Sequence, residues 1–251
     1  MLISLVYITK EIINFSKDII LFNEYQIEAL VRQERMLYPV VKVSSIQQGT
    51  DTGSSGIQAI ISTATGFSIE YDAANNTSLI ITNDHFCRDI GVGSMLILEN
   101  YEKAIADASS EYIDEYIESK ILYTDPQLDL CLVKAAGYIP PAIIADYSYE
   151  PKLFEKVFIV GGPTGNFPII IDTYISSIVQ REEIGLIFLG ENGNDFILIS
   201  EQIFPGHSGS PVFNQRGEVI GVVFASLETY GGLTISHKDI FELLSDYKDS
   251  I

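Results

Sequence analysis

The sequence predicts an all-β protein built from two six-stranded antiparallel β-barrels, with a helical leader before them and a helix at the C-terminal end. Three observations support this prediction. Short apolar runs separated by turn residues recur from residue 38 onward. They fall into two sets of about six, joined near residues 136–150. The chain also contains 14 Tyr and 13 Phe, many of them beside Ile and Val, a composition that favours strands.

A helical leader is expected at residues 1–36, ahead of a domain at residues 37–251. Apolar residues recur in the leader at roughly helical spacing with charged residues between them, which predicts an amphipathic helix. These residues are Ile12, Phe15, Ile19, Phe22 and Leu30. Such a helix would either pack on the domain or act as a pro-segment or oligomerisation arm, so self-association through it stays open. A membrane-surface helix is disfavoured because the charges are of both signs.

The first barrel is expected over about residues 37–137 and the second over about residues 150–236. Strands of the first are predicted at residues 39–43, 57–61, 66–71, 78–82, 93–98, 117–123 and 128–135. Strands of the second are predicted at residues 156–160, 169–179, 185–190, 195–200, 210–214, 218–224 and 231–236. Residues 237–247 are predicted to be helical, because Ser236 can cap them and Asp239 lies in the first turn. A β-sandwich has a similar strand count, so the count alone does not exclude it.

The overall charge and the length of the apolar runs limit which partners and which location are expected. The formal net charge is −19 and the pI is about 4.3, and an acidic surface repels phosphate, so no nucleic-acid partner is expected. No uninterrupted apolar run is long enough to span a membrane, so integral membrane association is not expected. The N-terminal apolar run is short, and neither basic residues nor a small-residue cleavage site flank it. These features favour a cytoplasmic or virion location over secretion.

Two cysteines are present, which is too few for a disulfide scaffold. Cys87 follows His85 by two residues, and Cys131 follows Asp129 by two. They are either free buried thiols or a disulfide pair, and sequence alone does not decide between these. The motifs C-x-x-C and H-E-x-x-H are absent, so neither a metal nor another cofactor is expected.

Ser208 is the candidate nucleophile, in the segment Pro205-Gly-His-Ser-Gly-Ser-Pro211. A reactive serine needs a tight turn that exposes its oxygen, and backbone N–H groups that face the developing oxyanion. Gly206 and Gly209 allow the unusual dihedral angles of such a turn. The N–H groups of Gly206 and Ser208 would then form an oxyanion hole. Taken alone, the segment also fits an ordinary surface loop.

His85 is the candidate base, because a serine hydroxyl is inert near neutral pH unless a neighbouring base takes its proton. It ends an apolar strand, where a side chain can face a cleft. Of the other two histidines, His207 adjoins the nucleophile and is expected to point another way, while His237 opens the final helix and is expected to be solvated. Asp129 is the candidate orienting carboxylate, since an acid that opens an otherwise apolar run needs a partner to offset its desolvation.

Together these segments resemble the chymotrypsin-like serine proteases, especially their HtrA-like and glutamyl-endopeptidase branches. Four blocks follow the order of that family, over about residues 38–244: Leu79–His85, Asp125–Lys134, the Gly-x-Pro-x-Gly turn at Gly161–Gly165, and Pro205–Asn214. The resemblance implies two barrels with the site in the cleft between them. No PDZ domain is expected after the protease domain.

The resemblance further implies a serine endopeptidase that acts on a protein or peptide substrate through an acyl-enzyme. Ser208 would attack, His85 would transfer the proton and Asp129 would orient His85. A latent or inactive protease-fold scaffold, in a virion or as an interaction protein, is the alternative. A lectin-like β domain would explain the strands but not the ordered triad.

The specificity pocket is placed by the same resemblance. Val223, Phe224 and Ala225 would border it, and Gln202 would lie near its base. Glutamyl endopeptidases have a glutamate-binding histidine where this chain has Val223. Glutamate specificity is therefore not expected, and a small or apolar residue before the scissile bond is favoured.

Overall fold

Apolar residues in alternating and continuous runs close the chain into two six-stranded antiparallel barrels, which confirms the predicted fold class. The computed structural model describes residues 26, 28–48, 59–101, 117–184, 193–227 and 230–250. The first barrel closes in the order β1-β2-β3-β6-β5-β4. Its strands are β1 (Val40–Gln48), β2 (Ala59–Asp72), β3 (Thr77–Thr82), β4 (Met95–Asn100), β5 (Ile117–Asp125) and β6 (Leu130–Ala136).

The second barrel uses six of the seven remaining strands. They are β7 (Ile143–Ile144), β8 (Lys156–Gly161), β9 (Ile169–Val179), β10 (Phe196–Ile199), β11 (Pro211–Phe213), β12 (Glu218–Leu227) and β13 (Gly231–Ser236). The sheet runs β11-β8-β9-β10-β13-β12, and an additional pairing of β11 with β12 closes it. Strand β7 lies outside this closed set and pairs in parallel with β12.

The largest apolar cluster lies between the barrels, and it explains why several strands are apolar without interruption. Successive side chains of a strand point to opposite faces. On β6, Leu130 and Leu132 therefore join the cluster shared with the second barrel, whereas Cys131 and Val133 fill the first barrel. Strands buried on both faces read as continuous apolar runs. The shared cluster fixes the position of one barrel against the other, and so the shape of the cleft above it.

Four α-helical segments of at least four residues lie outside the barrels within the described ranges. They are α1 (residues 28–37), α2 (Asp84–Cys87), α3 (Arg181–Ile184) and α4 (His237–Asp249), and a 3₁₀ turn covers Pro163–Gly165. Helix α4 begins as predicted, since Ser236 Oγ accepts a hydrogen bond from Lys238 N at 3.2 Å. None of the helices in the described ranges is long and apolar enough to cross a membrane. Residues 1–25 of the predicted leader lie outside the described residues. Its described end is helical and packs on the domain, with Met36 and Leu37 in the shared cluster.

Three sequence expectations differ from the structure or fall outside it. The predicted strands at residues 57–61 and 66–71 form one long strand, because β2 pairs with β1 from Ala59 to Phe67 and then with β3. The predicted strand at residues 185–190 lies outside the described residues. The expectation that His237 is solvated is wrong. Its ring is buried, with Nδ1 3.2 Å from Ile220 O and Nε2 3.1 Å from Asp146 O, and burial lowers its pKa.

A buried ion pair ties α3 and α4 to the turn before β6. Arg181 Nη2 lies 2.9 Å from Asp239 Oδ2, and both side chains are almost wholly buried. Arg181 Nη1 also donates to the carbonyl of Gln127 at 3.0 Å, two residues before Asp129. Burial raises the pKa of Asp239, while hydrogen bonds from Asn194 and the charge of Arg181 oppose that rise. The pair therefore links three segments that converge next to the cleft.

Replacing Asp239 by Ala is expected to lower the free energy of unfolding by about 3–5 kcal/mol, because it leaves Arg181 as a buried charge without its anion. Urea denaturation followed by circular dichroism measures this. The matched control is Asp172→Ala, which breaks the exposed pair between Lys156 Nζ and Asp172 Oδ2. The control should change stability far less, because exposed pairs are screened by solvent. Equal losses in the two variants would contradict the assignment.

Candidate active site

Three polar side chains from separate parts of the chain meet at the cleft between the barrels. His85 lies on α2, directly after β3 of the first barrel, and Asp129 lies just before β6 of the same barrel. Ser208 comes from the second barrel, in the loop that leads into β11. The structure thus brings together all three residues that the sequence singled out as candidate nucleophile, base and orienting carboxylate.

Asp129 holds His85 through both of its carboxylate oxygens. Oδ2 lies 2.8 Å from His85 Nδ1, and Oδ1 accepts a hydrogen bond from the backbone N–H of His85 at 2.8 Å. Asp129 has a left-handed φ of 52°, a conformation that Asp adopts more readily than most residues. Its carbonyl oxygen accepts from Asn83 Nδ2 at 3.0 Å and from Asp84 N at 3.1 Å. Hydrogen bonds therefore hold both the backbone carbonyl and the carboxylate of Asp129.

The imidazole of His85 bridges the buried carboxylate and the serine. Its Nε2 lies 3.0 Å from Ser208 Oγ, on the ring side opposite Asp129. The side chain of Asp129 is 4 % exposed, whereas that of His85 is 37 % exposed. This difference in solvent exposure leaves the ring accessible from the cleft, while its Nδ1 lies against a buried carboxylate. Such an arrangement can take a proton from a hydroxyl and return it to another group.

The loop around Ser208 depends on glycines with positive φ. Gly206 has φ of 98° and Gly209 has φ of 82°, values that other residues rarely adopt. A side chain at Gly206 would collide with the carbonyl of Gly162, and one at Gly209 with the carbonyl of Thr65. Within the described part of the chain, the backbone N–H groups of Gly206 and Ser208 donate to no other group. They remain available to a ligand beside Ser208 Oγ.

Thr65 on β2 is a residue at this site that the sequence reasoning missed. Its hydroxyl donates to Gly206 O at 2.7 Å and accepts from Gly162 N at 3.0 Å. Its backbone N–H donates to Ser208 O at 2.8 Å. One residue of the first barrel thus binds the loop of the second barrel that carries Ser208. The sequence shows only a threonine directly before Gly66, and the partners of Thr65 are distant in sequence.

His207 points away from the base, as expected from its place in the turn. The side chain is buried, and its Nδ1 lies 3.2 Å from the carbonyl of Phe204. Its Nε2 has no hydrogen-bond partner among the described residues. Burial lowers the pKa of His207, which favours the neutral form of the ring. His85 is therefore the histidine that faces Ser208.

The residues predicted to border the pocket differ in their exposure. Gln202 is exposed and Ala225 is half-buried, whereas Phe224 is 9 % exposed and stacks near Phe196, with ring centroids 5.1 Å apart. The side chain of Val223 lies in the core of the second barrel. Its backbone accepts from Gly209 N and donates to Ser210 O, each at 2.9 Å.

Ile203 packs against the core of the second barrel beside Gly232, a contact that the sequence reasoning did not identify. It follows Gln202 directly, and a side chain at Gly232 would collide with its Cγ1. The glycine therefore leaves the space that Ile203 occupies.

Among the described residues, no group of three or more His, Cys, Asp or Glu side chains is placed to hold a metal ion.

The two cysteines, left open by the sequence, form a disulfide. Cys87 ends α2 and Cys131 is the second residue of β6, and their Cα atoms lie 6.4 Å apart. Each follows a site residue by two positions. The bond consequently connects the segment that carries His85 to the segment that carries Asp129.

Comparison with known proteins identifies the family. Residues 64–222 match the family described as "Trypsin-like peptidase domain", which is more than half of the chain. The chain belongs to the trypsin-like peptidase domain family. The recognised resemblance to chymotrypsin-like, HtrA-like serine proteases is thereby confirmed.

Similar proteins from several bacteria are named "Probable periplasmic serine endoprotease DegP-like". The one from Pseudomonas fluorescens is 30 % identical over 161 residues, which cover 64 % of this chain and 29 % of that protein. The one from Hahella chejuensis is 28 % identical over 167 residues, or 66 % of this chain and 30 % of that protein. The chain spans less than a third of the length of these relatives.

A solved structure shares the fold. The crystal structure of the serine endoprotease from Yersinia pestis matches with a TM-score of 0.60 and 19 % identity, over 86 % of this chain and 65 % of that chain.

The expected cytoplasmic or virion location is wrong. Several relatives are named periplasmic proteins, among them those from Pseudomonas fluorescens, Ectopseudomonas mendocina and Pseudomonas fulva. The prediction of the location rested on the short N-terminal apolar run. The features of that run do not indicate the compartment in which relatives of the folded domain reside.

Replacing both Cys87 and Cys131 by Ala is expected to lower the free energy of unfolding by about 2–4 kcal/mol, because the bond closes a long loop in the unfolded chain. Urea denaturation of the wild type with and without reductant measures this. Reductant should reproduce the loss in the wild type and leave the double variant unchanged. A wild type equally stable with and without reductant, once its thiols are shown to be free, would contradict this expectation.

Proposed function

We propose that this chain is a serine endopeptidase that cleaves peptide bonds through an acyl-enzyme, with His85, Asp129 and Ser208 as its catalytic triad. One observation carries the proposal: His85 Nε2 lies 3.0 Å from Ser208 Oγ while its Nδ1 lies 2.8 Å from Asp129 Oδ2. The names of the similar bacterial proteins, which are serine endoproteases, support the same activity.

The proton transfers follow from this geometry. In the resting site we place the imidazole proton on Nδ1, where it is donated to Asp129, so that Nε2 accepts from the Ser208 hydroxyl. As Ser208 Oγ attacks the scissile carbonyl carbon, its proton passes to Nε2 of His85. The imidazolium then gives that proton to the leaving amine, and the C–N bond breaks. Water, activated by the same nitrogen, hydrolyses the ester at Ser208 and regenerates the site.

The oxyanion would be bound by the backbone N–H groups of Gly206 and Ser208. Both are unoccupied by other acceptors among the described residues, and both belong to the tight turn at the nucleophile. The hydroxyl of Thr65 donates a hydrogen bond to the carbonyl oxygen of Gly206 and so holds that carbonyl in place. Preorganised donors of this type stabilise the charge that develops on the carbonyl oxygen without rearranging during the reaction.

The substrate pocket would lie beside the strand Val223–Ala225, with Gln202 at its base. Because the Val223 side chain fills the barrel core, a substrate would meet its backbone, and Phe224, Ala225 and Ile203 would supply apolar surface. No charged group belongs to this set, so a small or apolar residue before the scissile bond suits it best.

A periplasmic or otherwise extracytoplasmic location accompanies this activity. The relatives are named for the periplasm, and a structural disulfide such as Cys87–Cys131 persists in oxidising compartments.

The purified protein is expected to cleave an unstructured protein such as casein, and Ser208→Ala should reduce kcat/KM by at least about 10⁴-fold, because the nucleophile is lost. Mass spectrometry of a digested peptide library gives both the rate and the cleavage positions. Ser176→Ala, an exposed serine on the outer face of β9, is the matched control and should retain full activity.

Two results would count against parts of this proposal. A wild type that cleaves nothing at any pH would favour the inactive scaffold instead. Cleavage with a strong preference for Glu or Arg before the scissile bond would keep the activity but contradict the pocket described above.

A further inference from the structure

A strained residue lies in the Gly-x-Pro-x-Gly turn, which packs on the loop that carries Ser208. Thr164 has a left-handed φ of 51°. A β-branched residue rarely adopts this conformation, because its side chain crowds the backbone. Strain of this kind persists only where the surrounding structure enforces it, and it is frequent at functional sites. The contacts of Thr164 therefore indicate which part of the molecule depends on it.

The backbone N–H of Thr164 donates to the carbonyl of Pro205 at 2.7 Å. Pro205 and Gly206 share that peptide unit, which is trans. In a trans peptide the C=O and the N–H point in opposite directions. A hydrogen bond that draws the Pro205 carbonyl toward the turn therefore directs the N–H of Gly206 away from the turn. This N–H is one of the two donors proposed for the oxyanion.

The turn is held on both sides of Thr164. Before it, Gly162 N donates to the hydroxyl of Thr65 at 3.0 Å. After it, Asn166 N donates to Pro163 O at 3.0 Å. A return of Thr164 to an ordinary negative φ would therefore displace the peptide that carries its N–H, and the bond to the loop of Ser208 would be lost.

The side chain of Thr164 supports its unusual conformation. Its hydroxyl donates to Pro163 O at 2.7 Å and accepts from Asn166 Nδ2 at 3.1 Å. Short polar side chains that bond to nearby backbone stabilise local conformations outside helices and strands. The hydroxyl thus offsets part of the cost of the left-handed φ, which an apolar β-branched side chain could not do.

We propose that Thr164 is a positioning residue for the oxyanion hole: its left-handed conformation presents its N–H to Pro205 and so keeps the Gly206 N–H directed at the substrate. This inference rests on the proposed function, in which that N–H binds the oxyanion. The second peptide of Gly206 is held by Thr65, whose hydroxyl donates to Gly206 O at 2.7 Å. Both peptides that flank Gly206 are then fixed by residues outside the loop.

The kinetic test compares Thr164→Val with Thr164→Gly. Valine keeps the branched shape but lacks the hydroxyl, so labelling of Ser208 by a fluorophosphonate probe should slow by about 10-fold, less than the 10²–10³-fold typical of a lost oxyanion donor. On a casein-derived peptide that the wild type cleaves, kcat should fall and KM should stay unchanged, because the oxyanion hole acts in the transition state. Glycine adopts a left-handed φ without strain and keeps the N–H, so Thr164→Gly should stay near the wild-type rates.

Amide hydrogen exchange reads the contact itself, without any turnover. The N–H of residue 164 is bonded to Pro205 O, so NMR should find it protected in the Ser208→Ala protein and in the same protein with Thr164→Gly. The protein with Thr164→Val should exchange this hydrogen about 10-fold faster, in step with its slower labelling, because the bond is broken more often.

Two further variants complete the comparison. Phe154 has a left-handed φ of 64°, is exposed, and lies just before β8, whereas the turn follows the other end of that strand. Phe154→Gly relieves the same kind of strain away from the site and should leave labelling unchanged. If Thr164→Val does not fold, Thr164→Ala also removes the hydroxyl, with less crowding, and should slow labelling by about threefold.

The outcomes separate this inference from the proposed function. Wild-type labelling of folded Thr164→Val, or an equal loss in Thr164→Gly, would overturn the role of the left-handed conformation. Equal exchange of residue 164 in the wild type and Thr164→Val would overturn it as well. A wild type that cleaves nothing and is not labelled, but shows the expected exchange pattern, would support the contact with Pro205 and overturn the proposed activity instead.

Discussion

Thr65 joins the two barrels at the turn that carries Ser208, and the geometry of the candidate site depends on this contact. Its backbone N–H holds the carbonyl of Ser208 at 2.8 Å, and its hydroxyl holds that of Gly206 at 2.7 Å. The carbonyl of Thr65 accepts in turn from Thr82 Oγ1 at 2.7 Å, on the strand that leads to His85. The segments that carry His85 and Ser208 are therefore both hydrogen-bonded to Thr65, although they belong to different barrels.

Two further contacts constrain the segment that carries Asp129, the hydrogen-bond partner of His85. The Cys87–Cys131 disulfide connects the segments that carry His85 and Asp129, and Arg181 binds the carbonyl of Gln127 in the turn before Asp129. Each contact restricts a short connection at the end of a strand, where the backbone is otherwise least determined. In the proposed mechanism, preorganisation of this kind would lower the cost of assembling the reactive geometry for each substrate.

Much of this arrangement could be predicted from the sequence, because short-range patterns encode it. Apolar runs predicted the strands, and the motifs around His85, Asp129 and Ser208 singled out three side chains that the structure brings together. Long-range contacts could not be predicted in the same way. His237 looks solvated at a helix start, but it is buried because Ile220 and Asp146, distant in sequence, supply carbonyl acceptors. Thr65 reads as an ordinary strand residue for the same reason, since its partners at Gly162 and Gly206 meet it only in the folded chain.

The most direct test of this account is the rate at which a fluorophosphonate probe labels Ser208 in Thr65→Val and Thr65→Ser. Valine matches the shape of threonine but leaves the Gly206 carbonyl and the Gly162 N–H without their partner, whereas serine keeps the hydroxyl. We expect labelling of Thr65→Val to be slower by about 10²–10³-fold, the loss typical of a damaged oxyanion hole, and that of Thr65→Ser to stay near the wild-type rate. Wild-type labelling of a folded Thr65→Val protein would contradict the claim that this hydroxyl holds the nucleophile loop in its reactive form.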